Sequence, residues 1–86
     1  MFWVYVIYNR RHNRIYIGQT EDLNRRTLEH NDKENSRHKY TQRFDGTWEL
    51  VYKEVLNLRS EALLREKQLK SFRGREFIKD KLNIPV

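Results

Sequence analysis

The chain has 86 residues, of which 37% are hydrophobic and none is cysteine. A chain of this length forms one small domain, which we assign to residues 1–82, followed by a short tail over 83–86. The lack of cysteine excludes a disulfide framework and a thiolate zinc site. Eighteen lysines and arginines against twelve acidic residues give a net charge of +6. This balance favours an anionic polymer such as nucleic acid as partner, although a protein that is basic for other reasons fits it equally well.

Residues 2–8 form an apolar run rich in aromatic and β-branched side chains. The run is too short for a signal peptide or a membrane span, and apolar side chains on both of its faces predict a strand that is covered on both sides. The polar residues 9–13 predict a turn, after which residues 15–17 form a second strand that pairs with the first in a hairpin. We expect Gly18 to end this second strand.

The next segment, residues 22–30, predicts a helix with Thr20 as its N-cap and acidic residues in its first turn. When these residues are placed on a helical wheel, Leu23, Arg26 and His30 fall within one arc. The face that should pack inward therefore carries an arginine and a histidine, which is unusual for a helix that covers a small core.

A long polar and basic segment covers residues 31–46 and contains Tyr40 and Phe44. A connection of this length is either functional or mobile. Residues 48–56 alternate between apolar and polar side chains, which predicts a third strand.

The C-terminal part predicts two helices. Ser60 caps a helix over residues 61–72, Gly74 breaks it, and residues 75–82 form a short basic helix.

Ala62, Leu63 and Leu69 define the inward stripe of the helix over 61–72, and Glu66 falls in the middle of this stripe. A carboxylate on a buried face is costly unless it is paired, protonated or bound to a cation. Glu66 is therefore a second polar residue that needs an explanation.

Each of these polar residues has a purely structural explanation. Arg26 and Glu66 could form a buried ion pair with no ligand, and His30 could interact with the carbonyl end of its helix. Tyr5 and Tyr16 could be core tyrosines whose hydroxyls reach the surface. If instead Tyr5 pairs across from Tyr16 in the hairpin, the two phenols share one face of the sheet. A guanidinium, an imidazole, two phenols and a carboxylate can then converge, and these are groups that phosphodiester hydrolysis uses.

Over nearly its whole length the chain resembles the GIY-YIG nuclease family, and in particular its small stand-alone bacterial members related to the excision-repair incision subunit. The first motif is Trp3-Val4-Tyr5 and the second is Tyr16-Ile17-Gly18, with Arg26 and His30 following at the family's spacing. The helix around Glu66 matches the one that carries the family's metal-binding glutamate. In the first motif, tryptophan and valine stand where the family has glycine and isoleucine, but the tyrosine is kept.

The resemblance implies a small α/β (α+β) domain with a three-stranded antiparallel sheet flanked by helices. It also implies a metal-dependent endonuclease in which Glu66 holds one Mg²⁺ or Mn²⁺ and Arg26 stabilises charge on the phosphoryl oxygens. Tyr16 is implied as the general base toward water, while Tyr5 and His30 orient groups or relay protons. The substrate implied is DNA, with RNA also possible, in a structured or branched form that occurs in repair or recombination.

Bare domains of this family bind DNA weakly, so we expect surface cations or a partner protein that supplies a DNA-binding module to contribute. The candidates for phosphate contacts are Arg10, Arg11, Arg37, Lys39, Arg43, Arg73 and Arg75. Which of His38, Lys39 or Tyr40 enters the site is left open. An alternative from another class is a non-catalytic nucleic-acid-binding module, whose salt-dependent binding would survive the loss of Glu66 and Tyr16. We expect a cytoplasmic protein with no membrane partner.

Overall fold

The computed structural model describes residues 1–32 and 39–83 of the chain. Three antiparallel strands form one sheet in the order β2-β1-β3, and helices flank it, which confirms the predicted α+β fold. Within the described residues, no helix is long and apolar enough to cross a membrane. In chain order the elements are β1 (Phe2–Asn9), β2 (Arg14–Thr20), α1 (Leu23–Asn31), α2 (Lys39–Gln42), β3 (Trp48–Leu56), α3 (Arg59–Lys70) and α4 (Phe72–Leu82).

The hairpin of β1 and β2 closes where Asn9 pairs with Arg14. Its turn is stabilised by Asn13, which takes the left-handed backbone conformation with φ 53°, and by the Asn9 side chain, which accepts a hydrogen bond from the backbone N–H of His12. The predicted turn between the first two strands is therefore confirmed.

The hairpin does not pair Tyr5 directly with Tyr16. Tyr5 pairs with Gly18 and Tyr16 pairs with Ile7, so the two tyrosines are diagonal neighbours and do not face each other directly. They still share a face of the sheet, because side chains two positions apart point to the same side. Gly18 also does not end β2, which continues to Thr20 because the backbone of this segment stays paired with β1.

The sheet has an apolar cluster on each face. On one face, side chains of β1 and β2 such as Val4 and Ile17 pack with Ala62, Leu69 and Ile78 from the two C-terminal helices. Tyr5, Ile7, Leu23 and Trp48 form the cluster on the other face, beneath α1 and α2. The central strand β1 is therefore buried on both sides, as its uniformly apolar sequence predicts.

The N-cap of α1 is Asp22 and not Thr20 as we expected. The carboxylate of Asp22 accepts a hydrogen bond from the backbone N–H of Arg25 at 3.1 Å, because the extra residues of β2 move the start of the helix along the chain. At the other end of α1, the Asn31 side chain donates to the carbonyl of Trp48 at 3.0 Å and accepts from its N–H at 2.8 Å. This pair of hydrogen bonds fixes α1 to the start of β3.

The boundary between α3 and α4 is Ser71 and not Gly74. The Ser71 side chain caps α4 by accepting a hydrogen bond from the Gly74 N–H at 3.1 Å. Gly74 lies inside α4, where a Cβ atom would collide with the carbonyl oxygen of Gln68 and with the backbone of Leu69. Glycine is thus needed here for the close approach of the two helices and not as a helix breaker.

The start and the inward face of α3 also need correction. The helix begins at Arg59, so Ser60 is not its cap, and the N–H of Leu58 donates to the Glu61 carboxylate at 3.0 Å. Ala62 and Leu69 are buried as predicted, but Leu63 is 47% exposed. The buried positions are seven residues apart, which is two turns of the helix, and Leu63 lies about 100° away from Ala62.

Candidate active site

The first part of the candidate site is a buried line of three polar side chains. The hydroxyl of Tyr5 lies 2.7 Å from Nε2 of His30, and Nδ1 of His30 lies 3.0 Å from Oγ1 of Thr41. Tyr5, His30 and Thr41 come from β1, α1 and α2, and none is more than 1% exposed. His30 is therefore held from both ring nitrogens, which fixes its orientation under the tyrosine.

Tyr16 joins this group through its ring. Its centroid lies 4.9 Å from that of His30 and 6.4 Å from that of Tyr5. Unlike Tyr5, Tyr16 is only half-buried. The structure thus brings the two motif tyrosines and the histidine into one cluster, with Tyr16 on its accessible side.

Burial raises the pKa of the Tyr5 phenol, and the nearby Tyr16 and Glu66 raise it further. The guanidinium of Arg26 opposes this rise. Arg26 and Glu66 therefore lie close enough to Tyr5 to act on it electrostatically, although α3 packs on the opposite face of the sheet. Tyr5 stays protonated at neutral pH and acts as a hydrogen-bonding phenol.

Gly18 gives Tyr5 the space that it occupies. A Cβ atom at Gly18 would lie 2.6 Å from the Tyr5 hydroxyl oxygen and 3.0 Å from a ring carbon of Tyr16. Because these distances are shorter than van der Waals contact, no other residue fits at position 18 without moving a phenol. The glycine of the second motif is thus explained by the tyrosine that pairs with it.

Arg26 and Glu66 do not form the ion pair that the structural explanation required. Arg26 pairs with Glu29 at 3.3 Å, on its own helix, and Glu66 pairs with Lys70 at 2.9 Å, also on its own helix. Each charge therefore has a local counter-ion next to the phenols, and the two helices are not held together through a bridge between Arg26 and Glu66.

The donor set around Glu66 limits which metal ion the site can hold. Within residues 1–32 and 39–83, no group of three or more histidine, cysteine, aspartate or glutamate side chains could ligate an ion. A single carboxylate fits Mg²⁺ or Mn²⁺, because Mg²⁺ keeps several waters and commonly takes one or two carboxylates together with phosphate oxygens of the substrate. The Lys70 ammonium donates to one oxygen of the Glu66 carboxylate at 2.9 Å, so it competes electrostatically with an ion for that carboxylate.

A cleft of about 360 Å³ lies next to Tyr16, with Tyr40 of α2, Lys70 of α3 and Arg75 of α4 in its wall. Three consecutive residues of β2, Ile15 to Ile17, also line it, so the cleft runs along the outer edge of this edge strand. We refer to it as the Tyr16 cleft. The sequence left open which of His38, Lys39 or Tyr40 enters the site. Of these three, Tyr40 is the one that the structure describes at the Tyr16 cleft.

A second cleft, more polar and of about 440 Å³, has Arg26 in its wall. Arg25, Arg26 and Arg59 line it together with Glu21 and Asp22. Its mixed charge distinguishes it from the Tyr16 cleft.

The predicted phosphate contacts are dispersed over the surface. Arg10 and Arg11 lie at the hairpin turn, where they pair with Glu49 at 3.1 Å and Asp45 at 3.3 Å. Arg43 is exposed after α2, and Arg73 lines a separate cleft between α3 and α4. Arg75 is the member of this set that lines the Tyr16 cleft. Arg37 and His38 lie outside the described residues, as does the side chain of Lys39.

Sequence reasoning did not find Thr41 or Lys70. Thr41 stands in the polar segment without any pattern that marks it, and only the packing of α2 against α1 brings it to His30. Lys70 could have been found from its spacing, because it follows Glu66 by four residues and such pairs lie one above the other on a helix.

Comparisons with known proteins agree with this geometry. The GIY-YIG catalytic domain family matches residues 1–79. The UPF0213 protein of Staphylococcus saprophyticus is 34% identical to the chain over 65 residues, and two UPF0213 proteins from strains of Staphylococcus epidermidis are each 35% identical over 65 residues. Each of these alignments covers 76% of both chains. No solved structure gives a significant match. The chain belongs to the GIY-YIG nuclease family.

Proposed function

We propose that the protein is a metal-dependent endonuclease that hydrolyses phosphodiester bonds in DNA. The observation that supports this most strongly is the cluster of Tyr5, Tyr16 and His30, with Arg26 and Glu66 both acting on the Tyr5 phenol. The five side chains come from four elements, so a structural role for each one alone does not account for their placement.

The two tyrosines have different roles in this proposal. Tyr16 is half-buried and lines a cleft, so it can reach an attacking water and take its proton. Tyr5 is buried, and burial raises its pKa, so it keeps its proton and donates a hydrogen bond. His30 holds the Tyr5 hydroxyl in place, and Thr41 in turn holds the His30 ring.

Arg26 stabilises the charge that develops on the phosphoryl oxygens, as an arginine beside a transferring phosphoryl group does. Glu29 keeps the guanidinium oriented before substrate binds. Glu66 would hold one Mg²⁺ or Mn²⁺, whose charge polarises the scissile phosphate and stabilises the leaving oxygen.

The substrate that fits these roles is DNA. In this proposal the protein cleaves DNA during repair or recombination, and it does so in the cytoplasm. The basic surface at Arg10, Arg11, Arg43 and Arg73 supplies non-specific phosphate contacts, and a partner protein can add a DNA-binding module. RNA is the competing substrate, and a cleavage assay on DNA and RNA of the same sequence distinguishes the two.

The test is a nicking assay with Mn²⁺ or Mg²⁺ on plain, flapped and branched DNA and on RNA of the same sequence. We expect Glu66→Ala and Tyr16→Phe to reduce cleavage at least 100-fold, since each removes a group that acts in the transition state (on the order of 10²–10⁴ for acid–base groups). The matched control is Glu76→Ala, which removes a partly exposed carboxylate of α4 that pairs with Lys79 at 3.8 Å. Cleavage by Glu66→Ala equal to that of the wild type would overturn the catalytic assignment. If the wild type and every variant bind the nucleic acid but none of them cleaves it, the protein is a non-catalytic binding module.

A further inference from the structure

We propose that the Tyr16 cleft binds an unpaired nucleotide next to the bond that is cut, with its base against Tyr40 and its phosphate on Arg75. The preferred substrates are then single strands or unpaired segments of DNA, and not uniform duplexes. This inference rests on the proposed function and names its substrate class.

The first support is a row of aromatic rings that leads away from Tyr16. The Tyr40 ring lies 5.8 Å from that of Tyr16, at 33° to it, and the Phe44 ring lies 5.5 Å from that of Tyr40. Tyr40 is 40% exposed and Phe44 is half-buried, so the row is partly open to solvent. Buried Trp48 packs behind both rings, with centroids 6.5 Å from Tyr40 and 6.4 Å from Phe44, and supports them from the core side.

The second support is the position of the cations. Lys70 and Arg75 line the same cleft as the Tyr16 and Tyr40 rings. Nε of Arg75 donates to the carbonyl of Lys70 at 3.3 Å, which leaves the rest of the exposed guanidinium free to point outward. Beyond Tyr40, the Arg14 guanidinium lies 5.6 Å from the centre of the Phe44 ring. The row of rings is therefore flanked by cations at both ends, with Lys70 and Arg75 near Tyr16 and Arg14 at Phe44.

A row of rings with cations at both ends suits a single strand. Proteins that bind unpaired nucleic acid combine cations that follow the backbone with aromatic rings on which bases stack. In a duplex the faces of each base are covered by the neighbouring base pairs, so Tyr40 could not reach them. A cleft of about 360 Å³ has the size of a small-molecule pocket and accommodates one base.

The first experiment measures binding without divalent cations, so that it does not depend on cleavage. Fluorescence anisotropy with a labelled single-stranded DNA and a hairpin duplex of the same sequence compares the wild type with Tyr40→Leu and Tyr40→Phe. Since stacking on one ring is worth roughly 5- to 150-fold in affinity, Tyr40→Leu should weaken single-strand binding by that factor and duplex binding much less. Tyr40→Phe keeps the ring and should bind like the wild type. Equal effects of Tyr40→Leu on both DNAs would overturn the inference.

The cation is tested by the salt dependence of binding. Arg75→Ala should lower the slope of log affinity against log salt for the single strand by about 0.7, the loss expected for one phosphate contact on a single strand. Lys79→Ala is the matched control, because it removes another cation of α4, partly exposed, that does not line the cleft. A slope unchanged in Arg75→Ala would remove Arg75 from the proposal.

A second readout uses the wild-type protein and does not require any variant to fold. A single 2-aminopurine is moved through the oligonucleotide, and stacking on an aromatic ring quenches its fluorescence. We expect quenching at one position, next to the cleavage point. No quenching at any position would overturn the inference. Single-strand preference without any cleavage would refute the nuclease proposal alone, whereas cleavage with no single-strand preference would refute this inference alone.

Discussion

The hydroxyl of Tyr5 and Nε2 of His30 lie 2.7 Å apart in a part of the core that solvent does not reach. On the far side of the imidazole, Thr41 holds Nδ1 at 3.0 Å. The orientation of the motif tyrosine is therefore set by side chains from two helices, and it does not depend on bound substrate. This relationship leads to the first two predictions.

Replacing Tyr5 by phenylalanine should make stability less sensitive to high pH. Burial raises the pKa of Tyr5 above the value of about 10 that it has in the unfolded chain. The folded protein therefore keeps this proton while the unfolded chain loses it, so stability is fully present below about pH 10 and falls above it, by up to about 1.4 kcal/mol per pH unit. Urea unfolding between about pH 9 and 11.5 should give a shallower fall for Tyr5→Phe. If the unfolding free energy falls equally steeply with pH in the wild type and in Tyr5→Phe, the Tyr5 phenol is not buried.

His30→Leu should destabilise the protein by about 1–3 kcal/mol, because it removes the partner of a buried hydroxyl. The loss should be smaller when Tyr5 is already phenylalanine, since no hydroxyl then remains to be satisfied. A double-mutant cycle by urea unfolding should give a coupling of about 0.5–3 kcal/mol. Strictly additive losses would show that the hydrogen bond contributes nothing to stability.

Gly18→Ala should cost about 1–3 kcal/mol of stability, because the new Cβ would lie 2.6 Å from the Tyr5 hydroxyl oxygen and one of the groups must move. Displacement of Tyr5 should also lower cleavage. In a Tyr5→Phe background the closest atom is gone, although the Tyr5 Cζ position is still only 2.8 Å away. Partial relief of the stability loss is therefore expected there. A Gly18→Ala variant as stable as the wild type would contradict this packing.

Lys70→Ala should lower the Mn²⁺ concentration that gives half-maximal cleavage, because the ammonium at 2.9 Å competes with a cation for the Glu66 carboxylate. Titration of Mn²⁺ in the nicking assay measures this directly. Lys79→Ala serves as control, since its partner is Glu76 and not Glu66. A higher Mn²⁺ requirement in Lys70→Ala would show that the lysine assists the metal site and does not compete with it.

Much of the fold could be predicted because the patterns are local. The third strand matches residues 48–56 at both ends, and the central position of β1 follows from apolar side chains on both faces. The register of the hairpin could not be predicted because it depends on how the turn closes. Four residues separate Asn9 from Arg14, with Asn13 in a left-handed conformation, and this geometry sets Tyr5 opposite Gly18. A polar stretch does not reveal such a turn.

The candidate site could be predicted only in part for a similar reason. Arg26 and His30 were identified from helical spacing and the family resemblance, and both lie at the phenols. The bridge between Arg26 and Glu66 that the structural alternative required is absent, because each side chain finds an opposite charge on its own helix. Such a local pair has a lower entropic cost than a contact between helices. Thr41 depends wholly on tertiary packing, so no local pattern marks it.

The contact of Gly74 with the backbone of Leu69 has a consequence for how nucleic acid associates. The backbone of α4 packs directly on the backbone of α3, and only Ser71 separates the two helices along the chain. Lys70 and Arg75 are therefore both carried by this closely packed helix pair. The distance between the backbones that carry these two cations is therefore set by the packing of α4 on α3. A larger residue at position 74 would change how α4 packs on α3. It would therefore change which nucleic acids fit the Tyr16 cleft, although position 74 does not line that cleft.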